Sequence, residues 1–198
     1  MIESIKFIYG ESNTRGKNRQ NIINNEVCEY LKLTGDYDDV EFRLEDKLST
    51  PNSVGGKKTF DVDIAIYKIG VLIEVVLNKA PYSNICQNEQ NSINSRIGET
   101  FRIVNDFPDI KITWFNFLPK MTPYFEDGGK VKRVEINQPH PICTDNFRKN
   151  ISIKNEIREI FVCFDWNGIP IGSNKSKFGE LLESGSMYWN NVEIIEYK

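Results

Sequence analysis

Two carboxylates, Asp63 and Glu74, stand in an otherwise apolar stretch. Ile64-Ala65-Ile66-Tyr67 follows the first, and Val71-Leu72-Ile73 and Val75-Val76-Leu77 flank the second. Burying a carboxylate is costly unless hydrogen bonds, a counter-charge or a bound cation offset its lost hydration. Paired acids offer hard oxygen ligands suited to Mg²⁺ or Mn²⁺, so metal-assisted hydrolysis is the first chemistry to consider. The structural alternative is a strand-end acid at 63 and a buried acid at 74 paired with Lys58 or Lys68. Asp61 competes with Asp63, because strand alternation puts both on one face.

Composition removes other chemistries. The single histidine, His140, lies in a Pro-His-Pro run, and the four cysteines form no CxxC pair. Catalytic zinc and Ser-His or Cys-His nucleophiles are therefore poor readings. Acidic residues number 28 against 25 basic ones, giving a net charge of −3. Such a balance argues against strong autonomous nucleic-acid binding and leaves affinity to a local patch or a partner. Arg15, Lys17, Arg19, Lys57 and Lys58 are the candidate phosphate contacts near the acids.

The elements that must position these residues follow from periodicity. Ile22, Ile23, Val27, Tyr30 and Leu31 predict a helix over about 18–33, stopped by Gly35, with Glu26 on its stripe. The acids fall on a β-hairpin turning near Gly70, and the stretch from Leu48 to Gly56 reads as turn-rich. A long helix is expected over about 85–105, with a stripe of Ile85, Ile93, Ile97, Phe101 and Val104 and early turns made polar by Gln87, Asn88, Gln90, Asn91 and Asn94. Strands are expected at 5–9, 110–118, 131–136, 161–164 and 192–197, a helix at 153–160, and a turn at Asp165 to Gly168. The sum is one mixed α/β domain over 1–198, a central sheet flanked by helices. No apolar run approaches the roughly 20 residues needed to span a bilayer. The start of the chain lacks a signal-peptide pattern, and isolated cysteines suit a reducing compartment. A cytoplasmic protein is expected.

Helix with an inward acid, hairpin with two acids, polar helix, then strand: this order resembles the core of the PD-(D/E)xK nuclease superfamily, over about 18–118. In that family an Asp begins the second core strand, and a Glu or Asp followed two residues later by Lys sits on the third. Asp63 and Glu74 match the acidic positions, while Val76 stands where the lysine belongs. The resemblance implies a restriction-endonuclease-like core and Mg²⁺, with Mn²⁺ as substitute, held by Asp63, Glu74 and the Val75 backbone carbonyl. Glu26 would assist, and Lys79, Gln87, Glu89 or Gln90 would replace the missing lysine. It further implies a type II restriction endonuclease acting on double-stranded DNA. Size and charge are similar to the small cleavage subunit of heterodimeric type IIS enzymes, whose partner is a large recognition subunit; a homodimer is the near neighbour. A non-catalytic subunit keeping the fold, or a structure-specific DNA or RNA nuclease, remains an alternative.

Overall fold

The computed structural model describes residues 17–35, 37–52, 57–81, 85–125, 131–144, 155–168 and 187–198. The expected strand at 5–9 lies outside them. The elements in order are α1 (Lys17–Thr34), β1 (Val40–Ser49), β2 (Thr59–Lys68), β3 (Val71–Lys79), α2 (Ile85–Asp106) and β4 (Lys111–Pro119), followed by β5 (Met121–Phe125), β6 (Val131–Ile136), β7 (Ile157–Gly168) and β8 (Met187–Tyr197). Six strands form one sheet in the order β1-β2-β3-β4-β7-β8, and β5 pairs with β6 in a separate ribbon. β1, β2 and β3 run antiparallel in succession, whereas β3, β4 and β7 are parallel neighbours. The architecture is α/β with a mixed central sheet. Among the described residues no helix is long and apolar enough to cross a membrane.

Alternate residues of the sheet feed two cores. Ile64, Ile66, Val76, Phe115 and Phe117 pack against Ile23, Val27, Cys28 and Leu31 of α1. Ala65, Val75, Leu77, Ile112 and Trp114 pack with Ile103 of α2 on the opposite face. α2 is held less by its apolar stripe than expected. Its buried residues are Arg96, Thr100 and Ile103, while Phe101 is exposed. Trp114 Nε1 donates to Thr100, and Arg96 forms a buried ion pair with Glu159 of β7 at 2.5 Å. Glu159 also accepts the backbone N–H groups of Ile142 and Cys143, and Arg96 donates to the carbonyl of His140. That network fastens the segment after β6 to the middle of α2.

Three strands depart from the sequence expectation: β5 had no expected counterpart, and β7 and β1 differ as follows. The segment 153–160, expected as helix, contributes Ile157 to Ile160 to β7, which runs on through the expected turn at Asp165 to Gly168. Arg158 and Glu159 give it a helical polar rhythm, yet each has a charge partner, Glu196 and Arg96. β1 includes Leu48 and Ser49, assigned to a turn from sequence. It is an edge strand whose exposed Glu41 and Arg43 pair with each other, which masks the strand pattern.

Gly35 ends α1 by donating its N–H to the Leu31 carbonyl, and a side chain there would collide with the Tyr37 ring. The β2–β3 turn uses Ile69 and Gly70, both with positive φ (51° and 75°), as a two-residue hairpin turn of this kind requires. Gly70 adopts this freely, but a β-branched residue does so under strain. Ile69 is 92% exposed, so no packing compensates. Replacing Ile69 with Asn, which tolerates this region, is expected to stabilise the protein by about 1 kcal/mol. A denaturant midpoint unchanged or lowered would contradict this origin of strain.

Candidate functional site at the split between β2 and β3

The hairpin ladder runs from Lys68↔Val71 and Tyr67↔Leu72, through a bulge, to Ile66↔Glu74, Ala65↔Val75 and Ile64↔Val76. The bulge leaves Ile73 as the extra residue, and its consequence is large. A one-residue shift of register exchanges the faces of a strand. Glu74 therefore shares the α1 face with Ile66 and Ile64. Without the bulge it would lie opposite Ala65, on the α2 face.

Glu74 is 3% exposed and fully engaged. Tyr37 Oη donates to its Oε2 at 2.8 Å, Thr113 Oγ1 donates to its Oε1 at 2.5 Å, and Lys111 Nζ lies 3.7 Å away. Burial and the neighbouring Glu74 charge raise the Tyr37 pKa, keeping that phenol a donor. Asp63 lies three positions from the residue opposite Glu74, roughly 10 Å along the strand. The structure does not bring the two expected metal ligands together. Val75, whose carbonyl was the third expected ligand, is fully buried in the ladder between Ala65 and Ile112. The set of Asp63, Glu74 and the Val75 carbonyl does not fit one cation.

Asp63 stands where β2 and β3 part. The ladder stops at Ile64↔Val76, and the Asp63 carboxylate takes the Asn78 N–H at 2.6 Å in place of a strand partner. Its other oxygen accepts from Gln20 Nε2 of α1. Asn24, buried on the same helix, donates to the Asp63 carbonyl and accepts from Asn78 Nδ2 at 2.8 Å. Burial pushes the Asp63 carboxyl up to about 6; the Asn78 N–H and the Lys79 charge pull it down, and Glu99 and Glu45 push it up. Asp63 opens onto a cleft lined also by Gln20, Glu45, Lys47, Asp61 and Val62. Glu45 of β1 stands opposite Asp63 in the unbroken β1–β2 register, between the pairs Leu44↔Ile64 and Asp46↔Val62, with a positive φ of 50°.

One step past the last ladder pair, Leu77 lies across from Asp63, and Lys79 is two residues further on. Lys79 Nζ bonds Glu99 of α2 at 3.0 Å and sits over the Trp114 ring. Ser95 Oγ holds the same Glu99 at 2.6 Å. Lys79, expected from sequence, is near enough for its charge to act on Asp63, and it brings with it Glu99, an acid that sequence reasoning missed. Gln20, Asn24 and Asn78 were missed as well. Their signal was available: Gln20 and Asn24 continue the stripe of Val27, Cys28 and Leu31 at helical spacing.

The remaining expected residues fall elsewhere. Glu26 is half-buried on the flank of α1 with Ile22 and Tyr30, while Gln20 and Asn24 make the contacts to Asp63. Gln87 and Gln90 are exposed, and Gln90 bonds Asn94. Glu89 binds His140. Asp61 is exposed and faces Lys47 of β1 at 3.6 Å. Lys17 lies 3.9 Å from Glu45, and Lys58 reaches the Pro51 carbonyl. The Lys57 carbonyl accepts from Arg102. Arg15 and the Arg19 side chain lie outside the described residues. Among the described residues no three His, Cys, Asp or Glu side chains converge as a ready-made cage.

The two carboxylates are expected to respond in opposite ways. Asp63 has a folded pKa of about 6 against its ordinary 3.8, so the folded state holds the proton more tightly. Its contribution to stability is fully present below pH 3.8 and is lost as pH rises through about 6. Asp63→Asn should remove that slope and raise stability at neutral pH by roughly 1–2 kcal/mol. Glu74→Ala, which strands Tyr37, Thr113 and Lys111, should cost roughly 3 kcal/mol. Denaturant titrations across pH 3–8 check both, and a destabilised Asp63→Asn beside an unaffected Glu74→Ala would reverse the assignment. In comparisons with known proteins, no family model, curated protein or solved structure matches this chain.

Proposed function

We propose that the chain is a Mg²⁺-dependent DNA endonuclease with a restriction-endonuclease-like core, its site centred on Asp63, Lys79 and Glu99. The observation that carries this reading is the register at the split hairpin. A family-type Asp on the second core strand faces a third-strand position two residues before a lysine, here Leu77 and Lys79. The lysine missing after Glu74 is thus supplied at Lys79. The acid absent at Leu77 is supplied from α2 by Glu99. The order α1, hairpin, α2, β4 supports the same core, with β1 preceding the hairpin.

Asp63 and Glu99 are hard oxygen donors that act on each other electrostatically through the same locality. Mg²⁺ is commonly bound by one or two carboxylates plus substrate phosphate and water, so this pair fits it without a closed cage. When bound, it supplies Lewis acidity toward a phosphodiester and an activated water. The protein's own residues do the rest. Gln20 and Asn78 fix the Asp63 carboxylate, and Glu99 with Ser95 fixes the Lys79 ammonium. So held, Lys79 orients the attacking water. Type II or type IIS cleavage with a large recognition subunit, or as a homodimer, accords with the acidic net charge, which leaves target binding to a partner.

Cleavage of long duplex DNA with Mg²⁺, alone and with any protein encoded beside it in a restriction locus, tests this reading. Asp63→Asn, Lys79→Met and Glu99→Gln should each lose activity by about 100-fold or more. Glu74→Gln should retain it in proportion to folded protein. Activity lost only on changing Glu74 would overturn the assignment. A non-catalytic subunit retaining the nuclease-like fold is the second reading, favoured by Leu77 at the acidic position; it predicts no metal-dependent cutting under either condition. Cutting confined to junctions or structured RNA would instead mark a structure-specific nuclease.

A further inference from the structure

On the α2 face, at the carboxyl ends of β3 and β4, a cavity of about 90 Å³ adjoins Lys79. Its apolar wall includes Pro81, Ile85, Leu118 and Phe161, and its polar wall includes Asn116, Arg96 and Gln138. Crevices at this end of parallel strands commonly hold ligands. Two buried side chains in the wall have unused hydrogen-bonding capacity. Asn116, 6% exposed, has no partner for Nδ2, and Arg96, 4% exposed, has none for Nε. Buried polar groups are otherwise almost always satisfied.

Charge identifies the class of ligand. Each lysine and arginine in the wall already has its carboxylate: Lys79 has Glu99 and Arg96 has Glu159, while His140 bonds Glu89 at 2.5 Å. A site so balanced does not select a phosphate. It suits a neutral ring carrying acceptor oxygens. The volume is several times the ~10–15 Å³ one water needs and matches a single ring. We propose that this cavity holds one unstacked pyrimidine base of the substrate strand, next to the phosphate served by Lys79. The proposal rests on the nuclease reading and deepens it. Single-stranded or flipped bases are recognised this way, by apolar walls and hydrogen bonds to the base edge.

The test uses the full chain carrying Asp63→Asn, so that DNA survives, and reads binding rather than cleavage. Side-chain amide resonances of Asn116 and Gln138 are followed by NMR during titration with thymidine. Saturable shifts with Kd on the order of 1 mM are expected. Ser92→Trp, placed on an exposed cavity-lining position of α2, should abolish them without touching the core. In parallel, a single-stranded thymidine oligonucleotide should bind about tenfold more tightly than its abasic counterpart, and Ser92→Trp should erase the difference. Absence of thymidine-dependent shifts, or shifts that persist in Ser92→Trp, overturns the pocket. If Asp63-dependent cleavage is seen in that case, the nuclease reading stands alone. Base-dependent binding with no cleavage in the native chain would retain the pocket and remove the nuclease.

Discussion

One carboxylate keeps two strands apart. β2 and β3 pair closely up to Ile64↔Val76, and beyond that Asp63 accepts the N–H that strand pairing would have used. The substitution of a charged side chain for a backbone carbonyl has two effects. It satisfies a buried donor that would otherwise be stranded, and it opens the sheet into a cleft. Gln20 and Asn24 of α1 complete the arrangement from one side, and the Lys79–Glu99 pair flanks it on the α2 side. The carboxyl sits uneasily there, with its proton affinity raised by burial. A group so placed favours a proton or a cation, which is why a cation-dependent chemistry is the reading best matched to it.

The other buried acids contrast with it. Glu74, bonded by two hydroxyl donors, has Lys111 at 3.7 Å, and Glu159, bonded by two backbone N–H groups, has Arg96 at 2.5 Å, whereas the Asp63 oxygens accept from the neutral donors Gln20 and Asn78. They fasten the fold: Glu74 joins Tyr37, between α1 and β1, to β3 and β4, and Glu159 joins α2 to β7 and the segment at 140–143. Such groups are costly to remove singly, because the partner is left buried without compensation. Burial of an acid in a β-sheet thus has two outcomes in one molecule, and the partner list separates them.

Much of the scaffold was legible from periodicity. The helices at 18–33 and 85–105, the hairpin and the strand at 110–118 fall within a residue or two of their observed bounds. β1 was not, because its edge carries charges that cancel each other across Glu41 and Arg43. β7 was not, because Arg158 and Glu159 interrupt an apolar run that is central to the sheet. The site was half legible. Asp63 and Lys79 were singled out, but Glu74 was joined to Asp63 as a paired acid on one hairpin and by the family resemblance. A single extra residue, Ile73, turns Glu74 to the other face, and nothing in the residue types around it signals that bulge. Glu99 was invisible for a different reason: its pairing with Lys79 spans twenty residues and depends on how α2 lies on the sheet.

The account stands on Asp63, and not Glu74, being the cation ligand. Titration of the protein with Mn²⁺, read by electron paramagnetic resonance, addresses this without requiring a DNA target or a partner. Binding that is lost in Asp63→Asn, weakened in Glu99→Gln and retained in folded Glu74→Gln is the predicted result. Binding that survives in Asp63→Asn and disappears in a folded Glu74→Gln would contradict the account.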